Sequence, residues 1–199
     1  MIIIITRPEY FASEATIINC MLHLGIPRIH IRKPDSNANS FEQLIKQIEP
    51  QYYSRLVLHD HHTLAQKYNL GGIHLNSRNP HPLSHFTGTL SRSCHMIDEL
   101  CLCSLHHSYC SLSPIFDSVS KQGYNAAFTD EQLKQAQTNG IINHRTYALG
   151  GVTLNNLPLV AHYGFGGAML LGEPWQMAAN PHFEDYIQQL VQADSLFLK

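Results

Sequence analysis

The sequence predicts an α/β protein in which eight short parallel strands close into a minimal (β/α)8 barrel. Eight short apolar runs recur along the 199 residues, and helical patterns lie between most of them. A strand followed by a helix predicts a βα unit, because a parallel strand pair needs a crossover that brings the chain back to the same end of the sheet. Eight such units predict a closed barrel, and 199 residues lie at the lower edge of that fold's usual size.

The predicted strands are runs of three or four residues, most of them apolar and bounded by turn-forming residues. They are Ile2–Ile5, Arg28–Ile31, Arg55–Leu58, Gly72–Leu75, Gly88–Leu90, Tyr109–Leu112, Thr146–Leu149 and Ala168–Leu171.

The predicted helices carry apolar residues on one stripe, at residues 11–24, 41–48, 130–139, 154–162 and 183–191. Thr129 and Gln132 predict a capping box at the start of the third of these helices. Gly25 and Gly140 follow the ends of the first and third helices, where a left-handed residue commonly ends a helix.

The connection after the fourth strand departs from the pattern. Residues 76–85 are rich in Pro, Asn and Ser, which predicts a crossover without a full helix. A doubly wound open sheet is the alternative architecture, because a count of strands does not by itself exclude it. No segment resembles a linker, so one domain spanning residues 1–199 is expected.

Composition restricts the possible partners. A formal net charge of -2 and a pI near 6.7 provide no basic surface of the kind that binds nucleic acid, so an anionic ligand must be held locally. No apolar run approaches the roughly 18 residues that span a bilayer, and Met1–Ile5 lacks the length and basic flank of a signal peptide. We therefore expect a cytoplasmic protein without membrane contacts.

Cysteine and histidine give no metal signature at the level of spacing. The five cysteines are an odd number without a CxxC pair, which favours buried, reduced thiols over a disulfide framework or a thiolate zinc site. Among the 14 histidines no HxxxH or HExxH spacing places two rings on one helical face, which favours core or solvated rings over ligands.

Polar residues follow nearly every predicted strand. The carboxyl ends of barrel strands form one mouth, where this fold places its functional groups. The residues concerned are Thr6 and Arg7, Arg32 and Lys33, His59 and Asp60, Asn76, Arg92 and Ser93, Ser118, Ser120 and Lys121, Gly150 and Gly151, and Gly172. Cations, hydroxyls and glycine turns at one mouth predict a phosphate-bearing ligand.

Seven strings resemble, in order and spacing, those of the thiamine-phosphate synthases and the related thiazole tautomerases. The resemblance covers nearly the whole chain. The strings are IHIRK (29–33), LVLHDHHTLA (56–65), GGIHL (71–75), SRSCH (91–95), SPIFDSVSK (113–121), ALGGV (148–152) and GFGGAMLLG (164–172).

The resemblance implies transfer of a pyrimidine-methyl group from its diphosphate to a thiazole phosphate, with release of pyrophosphate and with Mg²⁺ present. Such a reaction depends on stabilising the charge of the departing pyrophosphate. The resemblance assigns that catalytic role to Arg32, Ser93 and Lys121. The implied substrate and phosphate contacts are His30, Lys33, His59, Ser118, Ser120, Gly150, Gly151, Leu171 and Gly172.

The implied Mg²⁺ site departs from the family pattern. Asp60 matches one of the two aspartates that hold the ion in the synthases. Where the family has further acidic residues after the fourth strand, this chain has Arg78 and Asn79, and Mg²⁺ prefers carboxylate oxygens. The resemblance still allows a Mg²⁺ ion that is held by Asp60, by the pyrophosphate itself and by water.

Two other functions remain open at this level. A thiazole tautomerase would need its proton-shuttling histidine at Pro114, unless His30, His59 or His95 reaches that point. A non-catalytic binder of thiazole phosphate or thiamine phosphate would keep the glycine turns after losing the acids. A homodimer is expected if the folded chain exposes an apolar strip.

Overall fold

The strands form a closed barrel in the structure, a computed structural model that describes residues 1–117 and 126–198. Each strand is parallel to its neighbour in chain order, and the eighth closes the barrel on the first, with Ile2 opposite Ala168 and Ile4 opposite Leu170. The strands are β1 (Ile2–Ile5), β2 (Arg28–Ile31), β3 (Leu56–Leu58), β4 (Gly72–Leu75), β5 (Thr89–Cys94), β6 (Tyr109–Leu112), β7 (Thr146–Leu149) and β8 (Gly167–Leu170). The predicted (β/α)8 barrel is confirmed, and the open sheet is not.

One strand is longer than predicted. The fifth was expected to end at Leu90, but β5 continues to Cys94, where it pairs with Leu112 of β6. Arg92 and Ser93 therefore lie in the strand and not in the loop after it. The alternation of small polar and larger residues over 91–94 hides the strand from a search for apolar runs.

Eight α-helices surround the barrel in the described residues. They are α1 (Glu14–His23), α2 (Ala38–Gln47), α3 (Thr63–Lys67), α4 (Ile97–His106), α5 (Asp130–Thr138), α6 (Leu157–His162), α7 (Gly172–Met177) and α8 (Phe183–Ala193). The helix α4 was not predicted, although Leu100 and Cys103 give it a buried stripe. The connection over residues 76–85 contains no helix, as predicted.

The predicted helix ends agree with the structure. Thr129 accepts a hydrogen bond from the Gln132 amide and Gln132 bonds back to the Thr129 amide, which satisfies two donors at the start of α5. Gly25 and Gly140 have φ values of 111° and 71°, in the left-handed region that favours glycine after a helix.

Alternate residues of each strand face two different environments. Ile2 and Ile4 belong to the large apolar layer between the strands and the helices, whereas Ile3 and Ile5 join a separate cluster with Tyr109 and two others. Because side chains alternate across a strand, that second cluster fills the inside of the barrel. The interior is a packed core, and the space open to solvent lies above it.

The prediction of buried, reduced thiols agrees with Cys94 but not with the other four cysteines, since two of them are oxidised and Cys20 and Cys101 are not buried. Cys103 at the end of α4 and Cys110 in β6 form a disulfide, while Cys94 is a buried free thiol beside them. The spacing in the sequence could not indicate this pair, since a helix and a strand bring the two residues together. No helix in the described part of the chain is long and apolar enough to cross a membrane.

Candidate active site

A cavity of about 410 Å³ opens at the carboxyl ends of the strands. It is lined by Ile5, Arg32, His59, Asn76, Ser77, Arg78, Arg92, Ser93, His95, Glu99, Ser113, Leu149 and Leu171. Four predicted site residues, Arg32, His59, Ser93 and Leu171, are therefore brought to the lining of one cavity. In this fold the chemistry takes place at this end of the barrel, which makes the cavity the candidate active site.

Three guanidinium groups dominate the charge of the cavity wall. Arg32, Arg78 and Arg92 line it together, and Glu99 is the acid among the lining residues. Arg32 is fixed at the end of β2 through its backbone, because its amide donates to Thr6 Oγ1 at 2.9 Å. Planar guanidinium groups pair with phosphate oxygens in a bidentate way, so this wall suits a diphosphate.

Asp60 lies beside this wall with its carboxylate already engaged. Its Oδ1 accepts hydrogen bonds from Arg78 Nη2 at 3.1 Å and from Asn79 Nδ2 at 3.3 Å, and its Oδ2 accepts the Lys33 amide at 3.1 Å. The ion pair with Arg78 places a cation where Mg²⁺ would have to bind. The donor set at Asp60 therefore does not fit Mg²⁺, which favours several carboxylate or water oxygens.

Three buried histidines occupy the barrel interior directly under the cavity. In β2, Ile29 and Ile31 face the helices, so His30 between them faces inward. The same alternation turns His59, which follows Leu58, and His74, which follows Ile73, toward the barrel axis. Since Val57 pairs with Gly72, His59 and His74 lie two residues further along adjacent strands at the same height.

Hydrogen bonds and a stacking contact join the three rings into one network. His30 Nδ1 lies 2.8 Å from His59 Nε2, and His30 Nε2 lies 2.6 Å from the Tyr109 hydroxyl. The rings of His59 and His74 stack with centroids 4.1 Å apart. His74 Nδ1 lies 2.8 Å from Ser91 Oγ, and its Nε2 lies 2.8 Å from Ser93 Oγ. This network of side chains connects the barrel core with the cavity lining at Ser93.

Burial keeps the three imidazoles neutral. Desolvation lowers the pKa of His74 to about 3, and a lesser effect comes from other histidines. Desolvation, followed by the neighbouring rings, also lowers the pKa of His30 and His59 well below the ordinary value. At neutral pH each ring therefore has one N–H donor and one lone pair.

Lys33 has a different role from the predicted one. It is fully buried, and its ammonium donates to Arg7 O and Glu9 O at 2.8 Å each and to Glu14 Oε1 at 2.6 Å. Three acceptors use the three N–H groups of the ammonium. The prediction that Lys33 binds a phosphate is therefore wrong, because the side chain ties α1 to the loop after β1.

Gly150 and Gly151 form a turn that touches the segment after β6. Their φ values are 93° and 63°, in the left-handed region, and a Cβ on Gly150 would lie 2.7 Å from Pro114 Cα. A Cβ on Gly151 would lie 2.7 Å from Phe116 O. Glycine is required here because two loops of the mouth approach backbone to backbone.

Leu171 and Gly172 lie where β8 passes into α7. Leu171 precedes the helix and lines the cavity, and Gly172 is the first residue of the helix. Ser118, Ser120 and Lys121 lie outside the described residues.

Sequence reasoning missed part of the site. Arg78 and Arg92 were not assigned a catalytic role, and His74 and Tyr109 were not named as a unit with His30. The available signal was the alternation of side chains along each strand, which places His30, His59 and His74 on the face that points into the barrel. Nothing in the sequence indicates the hydrogen bond between His30 and Tyr109, because 79 residues separate the two.

The chain matches known proteins over most of its length. The family model described as thiamine monophosphate synthase matches residues 2–172. A thiamine-phosphate synthase of Photorhabdus laumondii is 29% identical over 163 residues, covering 77% of this chain and 75% of that protein. One of Yersinia pestis is 26% identical over 175 residues, covering 81% of each.

Solved structures agree with this match. A thiamine phosphate pyrophosphorylase from Bacteroides thetaiotaomicron is 33% identical with a TM-score of 0.87, and the match covers 98% of each chain. One from Pyrococcus furiosus has a TM-score of 0.78 at 14% identity, covering 100% of this chain and 96% of the other, which supports the fold alone. The match over residues 2–172 and the close structural relative show that this chain belongs to the thiamine monophosphate synthase family.

Proposed function

We propose that this chain is a transferase of thiamine biosynthesis that joins hydroxymethylpyrimidine diphosphate to thiazole phosphate and releases pyrophosphate. Membership of the family supports the reaction class, since the similar proteins of Photorhabdus laumondii and Yersinia pestis are thiamine-phosphate synthases. The observation that carries the proposal is the wall of Arg32, Arg78 and Arg92 around a cavity at the barrel mouth.

The arginines act on the leaving group. The bond between the pyrimidine methylene carbon and the diphosphate oxygen breaks, and its electron pair leaves with the diphosphate. A lone pair of the thiazole nitrogen then forms the new bond to that carbon. In the proposal Arg32 and Arg78 stabilise the charge that develops on the departing anion, while the Ser93 hydroxyl donates to one of its oxygens. No proton transfer by a base is required.

The second phosphate is assigned to the opposite side of the mouth. In the proposal, Gly150, Gly151, Leu171 and Gly172 hold the phosphate of the thiazole through backbone amides. His59 contributes to substrate binding from the cavity floor, and His30 supports it from below through their hydrogen bond. Ser118, Ser120 and Lys121 complete the phosphate contacts in the proposal on the strength of the sequence resemblance.

Magnesium has no step in this mechanism. The family reaction is expected to take place with Mg²⁺, but in this chain Arg78 occupies the carboxylate of Asp60. Arginines supply the positive charge that a metal ion would supply. A requirement for Mg²⁺ remains an expectation from the resemblance, and a cytoplasmic location and a homodimer remain expectations from the sequence.

The test is steady-state synthesis of thiamine phosphate from the two substrates by the purified full-length chain. Arg32→Ala should lower kcat/KM by about 100-fold or more, because it removes charge stabilisation that is greatest in the transition state. Arg145→Ala is the matched control, since Arg145 is exposed and does not line the cavity. Each assay is run with Mg²⁺ and with a chelator.

Three results would contradict the proposal. Equal kcat/KM for Arg32→Ala and the control would remove Arg32 from the site. Absence of product from the unmodified chain, together with isomerisation of the thiazole phosphate alone, would favour a tautomerase. Binding of thiazole phosphate without either reaction would favour a binder.

A further inference from the structure

Three imidazoles meet inside the barrel with nitrogen atoms close enough to share a transition metal ion. One nitrogen from each of His30, His59 and His74 lies within 4.8 Å of the corresponding nitrogens of the other two. In a tetrahedral zinc site with Zn–N bonds of about 2.0–2.1 Å, ligand nitrogens are about 3.4 Å apart. The separations are close to those of such a site, but His59 and His74 stack at an interplanar angle of 20°, so one of the two rings must turn for both nitrogens to point at one ion.

We propose that His30, His59 and His74 form a three-histidine site for a divalent transition metal such as Zn²⁺, with the fourth position supplied from the cavity. Imidazole is a preferred ligand of zinc, cobalt, nickel and copper, whereas magnesium prefers oxygen ligands. Three histidines with one open position are the ligand set of a catalytic zinc site rather than a structural one. His59 lines the cavity, so water or a phosphate oxygen can reach the fourth position.

The surroundings supply the partners that such ligands need. A metal-bound histidine donates its other ring N–H to a fixed acceptor, which sets its tautomer and orientation. The Tyr109 hydroxyl lies 2.6 Å from His30 Nε2, and a serine hydroxyl lies 2.8 Å from each nitrogen of His74. When His74 binds the ion it gives up one of its two serine hydrogen bonds, and the other serine accepts the remaining ring N–H, as the Tyr109 hydroxyl does for His30.

The position of the site separates it from Asp60. The ligands come from the adjacent segments β2, the end of β3 and β4, and face the barrel axis. All three rings are buried, so the strands hold them in place before the ion arrives. This metal site does not depend on the proposed transfer reaction, since it rests on the ligand geometry alone.

The first measurement is metal content. The full-length chain is treated with a chelator, loaded with Zn²⁺, dialysed and assayed by elemental analysis, and its affinity is measured by competition with a chromophoric chelator. We expect one tightly bound ion per chain, separate from weak binding by the exposed members of the 14 histidines. His74→Gln should weaken this binding at least 100-fold, whereas His144→Gln, which removes an exposed imidazole, should leave it unchanged.

Two further measurements cover the case in which His74→Gln does not fold. Tyr109→Phe keeps all three ligands and removes only the hydroxyl beside His30, so affinity should fall about 10-fold. X-ray absorption of the unmodified chain with less than one equivalent of Zn²⁺ should show three imidazoles at about 2.0 Å. The proposal is overturned if no tight ion binds, or if the bound ion has fewer than three imidazoles or has thiolate ligands.

Discussion

Several buried polar residues in the described part of the chain are paired with other residues of the chain. Lys33 and Glu14 illustrate this, with side chains 0% and 2% exposed and an Nζ to Oε1 distance of 2.6 Å. Burial raises the pKa of Glu14, and the ammonium of Lys33 opposes that effect. Removing one member of such a pair leaves an uncompensated charge, whereas removing both does not.

Glu14→Gln is accordingly expected to lower the free energy of unfolding by about 3 kcal/mol, since the Lys33 ammonium stays buried without its anion. The measurement is equilibrium unfolding in urea. The double variant Glu14→Leu with Lys33→Met should lose less than the single one. A single variant as stable as the unmodified chain would mean that the pair contributes nothing to folding.

At the scale of elements, the loops after β6 and β7 support each other. The turn at Gly150 and Gly151 contacts the backbone of residues 114–117, and Phe116 donates its amide to Gly150 O at 3.0 Å. The strands β6 and β7 thus place the loops that follow them against each other. The shape of the mouth depends on such contacts as much as on the side chains that line it.

Gly151→Ala tests this contact, with Gly140→Ala as its matched control. Both glycines have left-handed φ values, of 63° and 71°, but a Cβ on Gly140 meets nothing within 4 Å. The control should lose about 1 kcal/mol of unfolding free energy for its φ alone. Gly151→Ala should lose about 1–3 kcal/mol more, because its methyl group collides with a neighbouring loop.

Urea unfolding of the two variants, together with kcat/KM, provides the measurement. Activity should fall for Gly151→Ala and stay the same for Gly140→Ala, since only the first distorts the mouth. Equal losses of stability in the two variants would show that the loops do not press on each other.

At the scale of the whole molecule, the buried histidines couple folding to pH. His30, His59 and His74 have lowered pKa values in the folded state, and the unfolded chain binds protons at about pH 6.5. Below that pH the unfolded state therefore binds more protons than the folded state. The stability that these neutral histidines contribute is therefore present above about pH 6.5 and is lost as the pH falls below it.

Between pH 7.0 and 5.5 each of these histidines should remove about 1.3 kcal/mol of unfolding free energy, or about 4 kcal/mol for the three. Urea unfolding in the presence of a chelator measures this loss. Glu14 acts in the opposite sense, because burial raises its pKa. His74→Asn should reduce the loss by about a third, and that difference isolates the histidine effect. Equal stability at both pH values would mean that the folded protein accepts charged imidazoles.

The amino-acid sequence alone predicts the fold class, the bounds of seven strands to within one residue and the cap of α5. It also predicts that Arg32, Ser93 and Leu171 lie at the mouth. These features depend on local periodicity, turn chemistry and the rule that parallel strands end together. Tertiary structure decided the features that depend on contacts between distant residues. These features are the buried ion pair of Lys33 with Glu14, the ion pair of Asp60 with Arg78 and the disulfide between Cys103 and Cys110. Tertiary structure also brought three histidines from three strands together, because closing the barrel turns one face of every strand toward a common axis.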